Sequence, residues 1–319
     1  MINRIYREVL TAEQRIRPHV RTTFVSHSAY LSDLSGGAVY LKLENLQITG
    51  SFKLRGALNK ILSLSAKEAD RGIVTASTGN HGLAMAHALK VAGRRGRIYL
   101  PRTAAEGKIR LLRRCGAQLE FEGEEPEETE KFARKVAAER GQVYVSPYND
   151  PQVIGGQGTI GIEVLQQLGS VDAIFVAVGG GGLISGIGAY LKRLQGEVSL
   201  IGCLAENSPA MYESVRAGRI VETLCKPTLS DGTAGGIEKG SMTFALCREL
   251  VDDYVLVSEE EIEQGMRLMI EEHHQVVEGA AGVAVAAFLK RKRDFRNSTV
   301  LLLVCGGNVD VKTLRKVLG

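Results

Sequence analysis

Short apolar runs alternate along this chain with longer stretches in which apolar residues recur every three to four positions. Ile73 to Ala76, Arg97 to Leu100, Gln118 to Phe121 and Val143 to Val145 read as four strands separated by three helices, enough for one small sheet. Further on, Ala173 to Val178, Leu200 to Leu204, Tyr254 to Val257 and Thr299 to Val304 are again apolar runs with helical patterns between them, and Val39 to Leu43 joins this second set. Such alternation belongs to parallel sheets, whose strands are covered on both faces and need a crossover helix to return. The pattern therefore predicts an α/β protein of two lobes. The large lobe takes residues 1–70 and 149–319, and the small, mobile lobe residues 71–148. No internal repeat or low-complexity tract interrupts the pattern.

Three strand-to-helix turns carry candidate chemistry. The run Val39 to Leu43 breaks into a turn, and a helix is expected to begin at Lys53. An amine there is disfavoured as ammonium by the helix dipole and by its apolar neighbours Phe52 and Leu54, which suits a nucleophilic or Schiff-base lysine; an ordinary surface lysine is the plain alternative. The run Ala173 to Val178 enters Gly179-Gly180-Gly181-Gly182 and then a helix. Four residues without side chains let several N–H groups converge on a phosphate, whereas a tight turn needs only one glycine. The spacing is not Gly-x-Gly-x-x-Gly and no Gly-Lys-Ser/Thr follows, so nucleotide binding is the weaker reading, although Glu206 after the next strand imitates a ribose-binding acid. The third turn is Ser77-Thr78-Gly79-Asn80-His81-Gly82. Its hydroxyls and amides can receive a carboxylate and Asn80 can donate to a phenolate-like oxygen, while each of these residues taken singly reads as a helix cap. His81 has no acid or nucleophile spaced to make it a general base. A reactive lysine, a phosphate cradle and a carboxylate loop together describe pyridoxal 5'-phosphate held as an imine, with an amino acid as substrate.

Ser51-Phe52-Lys53-Leu54-Arg55-Gly56-Ala57, Ser77 to Gly82, Gly155-Gly156-Gln157-Gly158-Thr159, Gly179 to Gly182 and Cys305-Gly306-Gly307-Asn308 occur in this order. They resemble the motifs of the threonine and serine dehydratase family, which has the tryptophan-synthase-β-like fold. The resemblance implies that Lys53 holds the cofactor, Phe52 packs near its ring and Asn80 bonds the ring hydroxyl. It implies that Gly179, Gly180, Gly181 and Gly182, with the Leu183 amide, hold the phosphate, and that Cys305 stands against the pyridine nitrogen. Ser77, Thr78, Gly79, Asn80 and His81 then receive the substrate carboxylate, with Lys53 and Thr78 on opposite faces of the cofactor. A neutral thiol at 305 leaves a weaker electron sink than an aspartate would, which suits β-elimination of a 3-hydroxy amino acid such as L-threonine or L-serine to a 2-oxo acid and ammonia. By residue type alone, Cys305 reads as a small buried hydrophobe.

Departures from the family pattern sharpen this reading. Relatives that racemise serine have a serine where Thr78 stands and an arginine where Thr129 stands. They also pair a glutamate like Glu206 with an acid at the position of Tyr212, so no metal site is expected. Thr22-Thr23 replaces Thr-Pro with no evident chemical consequence. The segment Ser230 to Gly236 is also similar to dehydratase-like proteins of hydroxyectoine breakdown, which leaves the identity of the 3-hydroxy substrate open. The end at Gly319 resembles the short form of the family, without a regulatory domain or feedback inhibition by isoleucine.

Composition excludes other classes. The chain has 319 residues, 44% hydrophobic, with a net charge of +4 from 40 basic and 36 acidic residues and no basic stripe interleaved with aromatics. Neither nucleic acid nor an anionic membrane is indicated as a partner. Five cysteines without C-x-x-C spacing argue for reduced thiols. A polar N-terminus and the lack of any ~20-residue apolar run complete the expectation of a cytoplasmic enzyme, a homodimer or homotetramer by the resemblance. His273-His274 are expected on a helix, pointing apart.

Overall fold

The computed structural model describes residues 1–319 and contains ten strands. In chain order they are β1 (Val25–His27), β2 (Ala38–Leu43), β3 (Ile73–Ala76), β4 (Gly96–Leu100), β5 (Gln118–Phe121), β6 (Val143–Tyr144), β7 (Ala173–Ala177), β8 (Ser199–Ala205), β9 (Asp253–Val257) and β10 (Thr299–Val304). They form two sheets, one ordered β1-β2-β10-β7-β8-β9 and the other β5-β4-β3-β6. Every pairing is parallel except β1 with β2. The strands read from the apolar pattern are present to within about a residue at each end. β1 was not legible, because three half-exposed residues at a sheet edge show no periodicity.

Register decides where a site can form. Val304 lies opposite Leu43 and Leu302 opposite Phe175, so the loops leaving β2, β10 and β7 emerge side by side on one edge of the larger sheet. That carboxyl edge is where parallel α/β sheets bind ligands, since helix N-termini gather there. The helix Gly279–Arg291, buried over Gly279 to Phe288, backs the sheet, and Phe288 meets Phe175 edge-on at 5.6 Å.

A smaller core lies under the four-stranded sheet. Leu54, Leu58 and Ile61 of the helix Lys53–Ser63 enter it with Ile73, Met85 and Leu89. This helix therefore starts at the edge of the larger sheet and spends its apolar face on the smaller core. The Gly155 to Thr159 motif lies inside the helix Pro151–Leu168, not in a loop. A Cβ on Gly156 would stand 2.5 Å from the Arg55 carbonyl and one on Gly158 2.7 Å from that of Gly186, so these glycines let three helices touch backbone to backbone. His273 and His274 follow the helix Glu259–Glu271 rather than lying on it, and His273 Nε2 meets Ser28 Oγ at 3.2 Å.

Behind the site sits an ionic cluster whose side chains are fully buried. Arg55 bonds Glu44 at 2.7 and 2.8 Å and Glu163 at 2.7 and 3.0 Å, and Lys42 bonds Glu163 at 2.6 Å. Thr23 belongs to it as well, contrary to the expectation of no consequence: its hydroxyl donates to Glu44 at 2.6 Å and its N–H to Glu163 at 3.2 Å. A proline at that position could make neither bond.

Candidate active site

The helix Lys53–Ser63 begins at the lysine, and Phe52 N–H donates to the Cys305 carbonyl at 3.0 Å, tying the helix start to the end of β10. Lys53 Nζ donates to the Pro147 carbonyl at 2.9 Å and lies 5.2 Å from the centre of the Phe52 ring. Desolvation lowers the amine to about 8, with the Glu278 carboxylate nearby opposing the shift. At pH 7 about a tenth of the lysine is then neutral, against well under a hundredth for an ordinary lysine.

The tetraglycine loop leaves the free donors that a phosphate cradle needs. The backbone N–H groups of Gly179, Gly180, Gly181, Gly182, Leu183 and Ile184 have no acceptor in the protein, and residues 181–184 are buried. Buried amides almost always have partners, so four buried ones in a row at the start of the helix Gly182–Leu194, with two more free N–H groups just before them, call for an anion. A phosphate meets that requirement. Only Gly181, at φ +80°, needs glycine for backbone reasons. The others are held to glycine by close neighbours: a Cβ on Gly179 would stand 2.8 Å from the Thr233 carbonyl, and one on Gly180 would overlap the Tyr148 ring. Because Tyr148 follows Pro147, one short segment touches both the lysine amine and the cradle. Gly180→Ala is expected to weaken pyridoxal phosphate binding at least about tenfold by displacing Tyr148 or the loop, measured by titrating ligand-free protein. Unchanged affinity would mean that the loop is not the cradle.

The Ser77 to His81 turn opens the helix Asn80–Val91. The N–H groups of Thr78, Asn80, His81 and Gly82 have no protein acceptor, while Gly79 N–H is used by Ser77 Oγ at 3.2 Å. A carboxylate can therefore be met by backbone at Thr78, Asn80 and His81. The His81 side chain cannot take part. Its Nε2 lies 3.0 Å from Thr75 Oγ1 and 3.2 Å from the Val145 carbonyl, because its helix position faces β3, and burial pushes the ring down to about 3, so it is neutral. Cys305 follows β10 directly as a buried free thiol, and burial raises it well above the ordinary thiol range. It is a neutral group here.

Thr129 does not face the site: its hydroxyl donates to the Glu122 carbonyl at 2.6 Å. Tyr212 packs edge-on against Tyr254 at 6.0 Å.

Two side chains at the site were missed. Tyr148 accepts the Glu238 N–H at 3.0 Å and lies against Gly180. Glu278 accepts from Asn80 Nδ2 with both oxygens, at 2.8 and 2.9 Å, and from Asn308 N–H at 3.2 Å. The available signal for Glu278 was an acid placed immediately before a long alanine- and glycine-rich helix.

The Pyridoxal-phosphate dependent enzyme family matches residues 16–306. An L-threonine ammonia-lyase of Thermotoga maritima is 43% identical over 312 residues, 98% of this chain and 77% of that protein. The L-threonine dehydratase catabolic TdcB of Escherichia coli is 36% identical over 314 residues, 98% of this chain and 95% of the relative. The processed form of threonine deaminase isoform 2 from Solanum lycopersicum superimposes with a TM-score of 0.94 at 32% identity, covering 99% of this chain and 92% of that one. Maize serine racemase superimposes with a TM-score of 0.92 at 31% identity, covering 98% and 96%.

Proposed function

Since the chain belongs to the Pyridoxal-phosphate dependent enzyme family, we propose that it removes water from a 3-hydroxy amino acid, L-threonine or L-serine, and releases a 2-oxo acid and ammonia. The observation that carries the reading is the convergence of a lysine with depressed basicity and six unpartnered backbone N–H groups on the Pro147-Tyr148 segment. When bound, pyridoxal phosphate supplies an electron sink for the bond broken at Cα.

The chain's own residues then divide the work. Lys53 would hold the cofactor and take the Cα proton, and the amides of Gly179 to Ile184 would hold the phosphate. With the cofactor bound, Asn80 would present its amide to the ring hydroxyl, Phe52 would pack beside the ring, and the neutral Cys305 thiol would face the ring nitrogen. The N–H groups of Thr78, Asn80 and His81 receive the substrate carboxylate and fix Cα over Lys53. Water leaves across Cα–Cβ and is taken back when the carbon–nitrogen bond is hydrolysed, so the net products are the 2-oxo acid and ammonia.

Racemisation is the second reading, favoured by the likeness to maize serine racemase. It needs a proton returned on the face opposite the lysine, where Thr78 offers a hydroxyl on a stiff, branched side chain. Elimination is therefore expected to dominate. With L-serine, pyruvate should form at least about ten times faster than D-serine, and a panel of 3-hydroxy amino acids should rank L-threonine and L-serine first. D-serine accumulating faster than pyruvate would reverse the assignment.

The reading extends to the setting. All five cysteines are free, which suits a reducing cytoplasm, and no helix is long and apolar enough to cross a membrane. Phe24, Val276 and Val311 are at least half exposed, which suits burial in a homodimer or homotetramer; light scattering of the purified protein tests this. Residues 71–148 are proposed to move as a lobe over the substrate, a motion that changes in small-angle scattering on substrate binding would detect.

A further inference from the structure

Glu278 is the one buried acid at the site that the reaction described above does not use. Its residue is 4% exposed, and it stands at the N-cap position of the helix Gly279–Arg291 without capping it. An acid in that position ordinarily folds back onto its own helix, where the bond and the dipole both favour it. Here the carboxylate reaches away, across Gly306, to Asn80. Gly306 leaves the room: a Cβ there would stand 2.5 Å from Glu278 Oε1.

The contacts close a ring. Asn80 Nδ2 donates to both Glu278 oxygens, Asn308 Nδ2 donates to Asn80 Oδ1 at 2.6 Å, and Asn308 N–H donates back to Glu278 at 3.2 Å. Asn308 is fixed in turn by the Thr49 carbonyl, which accepts from its Nδ2 at 2.9 Å. The two ends of an asparagine amide are alike in size, so packing alone does not decide which faces a ligand. In this ring an acceptor-only group and a donor-only group decide it.

We propose that Glu278 is a positioning residue for the cofactor: its carboxylate holds the Asn80 amide with the nitrogen presented toward the ring, so that a donor meets the ring oxygen. The proposal rests on the placement of Asn80 at the ring hydroxyl in the proposed function. Holding an ionised carboxylate here opposes folding, since burial and Asp231 raise Glu278 to about 7, with Asn80, Asn308 and Lys53 offsetting part of this; Cys305 is the other titratable group facing it. A residue kept for stability would not be placed so.

The test is a double-mutant cycle on pyridoxal phosphate affinity, with ligand-free wild type, Glu278→Gln, Asn80→Ala and the double variant titrated by absorbance. Glu278→Gln is expected to weaken binding about tenfold in the wild-type background and less than about twofold once Asn80 is alanine. The melting temperature of ligand-free Glu278→Gln at pH 8 is expected to equal or exceed that of wild type, which a merely structural role would not allow. Equal losses in both backgrounds, unchanged affinity, or a lower melting temperature overturns the inference. If Glu278→Gln fails to fold, Asn308→Ala breaks the same ring and carries the same expectation. Asn80→Ala binding as tightly as wild type would overturn the placement of Asn80 and this inference with it. A wild-type chain that takes up no pyridoxal phosphate would instead refute the proposed function.

Discussion

Replacing Lys53 by alanine is expected to lower ammonia release from L-threonine or L-serine by more than about a thousandfold, because the nucleophile that attaches the cofactor and the base that takes the Cα proton are one residue. Lys53→Arg should be equally inactive. A guanidinium keeps its charge at any working pH, whereas burial brings the lysine amine down to about 8. Both variants should still bind pyridoxal phosphate without covalent attachment, since Gly179 to Ile184 keep their free amides. Borohydride reduction followed by peptide mass analysis locates the attachment: the adduct belongs at residue 53 in the wild type and at no lysine in Lys53→Ala. Turnover within tenfold of wild type, or an adduct at another lysine, would refute the assignment. NAD(P) copurifying with a colourless wild-type chain would instead support the dinucleotide reading of the glycines.

The parts of this site legible in the sequence share a physical property. Lys53, Gly179 to Gly182 and the Ser77 to His81 turn each follow an apolar run, so a local pattern places them at the carboxyl end of a strand. Glu278 follows no such strand, and Tyr148 follows the short run Val143 to Val145 without a motif of its own; only the tertiary fold brings them to the lysine and the tetraglycine loop. His81 shows how narrow the margin is. One step along a helix turns a side chain by about 100°, which moves it from the ligand face at Asn80 to the face packed on β3. The sequence places His81 at the carboxylate without saying which of its groups serves, and the fold leaves only its N–H free to do so. The glycines at 155, 156 and 158 were legible as a motif, but their purpose, close approach of helices, depends on partners far away in the chain. Thr23 was opaque for the same reason, because its partners Glu44 and Glu163 lie 21 and 140 residues distant.

That distant pairing gives the largest expected effect on stability. Glu163→Gln is expected to destabilise the ligand-free protein by about 3–5 kcal/mol at pH 7, because buried Lys42 loses its one paired acid and buried Arg55 one of its two. The pH dependence separates this from a simple loss of packing. Arg55 and Lys42 hold the Glu163 carboxyl down at about 2, against burial, which alone would raise it. A depressed carboxylate contributes stability that is fully present above its unfolded value near 4.5 and is lost as pH falls through the folded value near 2; about two and a half units correspond to about 3 kcal/mol. Urea unfolding should therefore show a wide gap between wild type and Glu163→Gln at pH 7 that narrows steadily below about pH 4.5. A gap under about 1 kcal/mol, or one that stays constant to pH 3, would mean that the cluster is not acting through the charge of Glu163. The site should register the same change. Arg55 lies two residues after Lys53 and binds Glu163 twice, so loosening the cluster frees the first turn of the helix that presents the lysine. Glu163→Gln that still folds should thus lose affinity for pyridoxal phosphate as well as stability, whereas a substitution on the exposed face of Glu163's own helix Pro151–Leu168, such as Gln166→Ala, should lose neither.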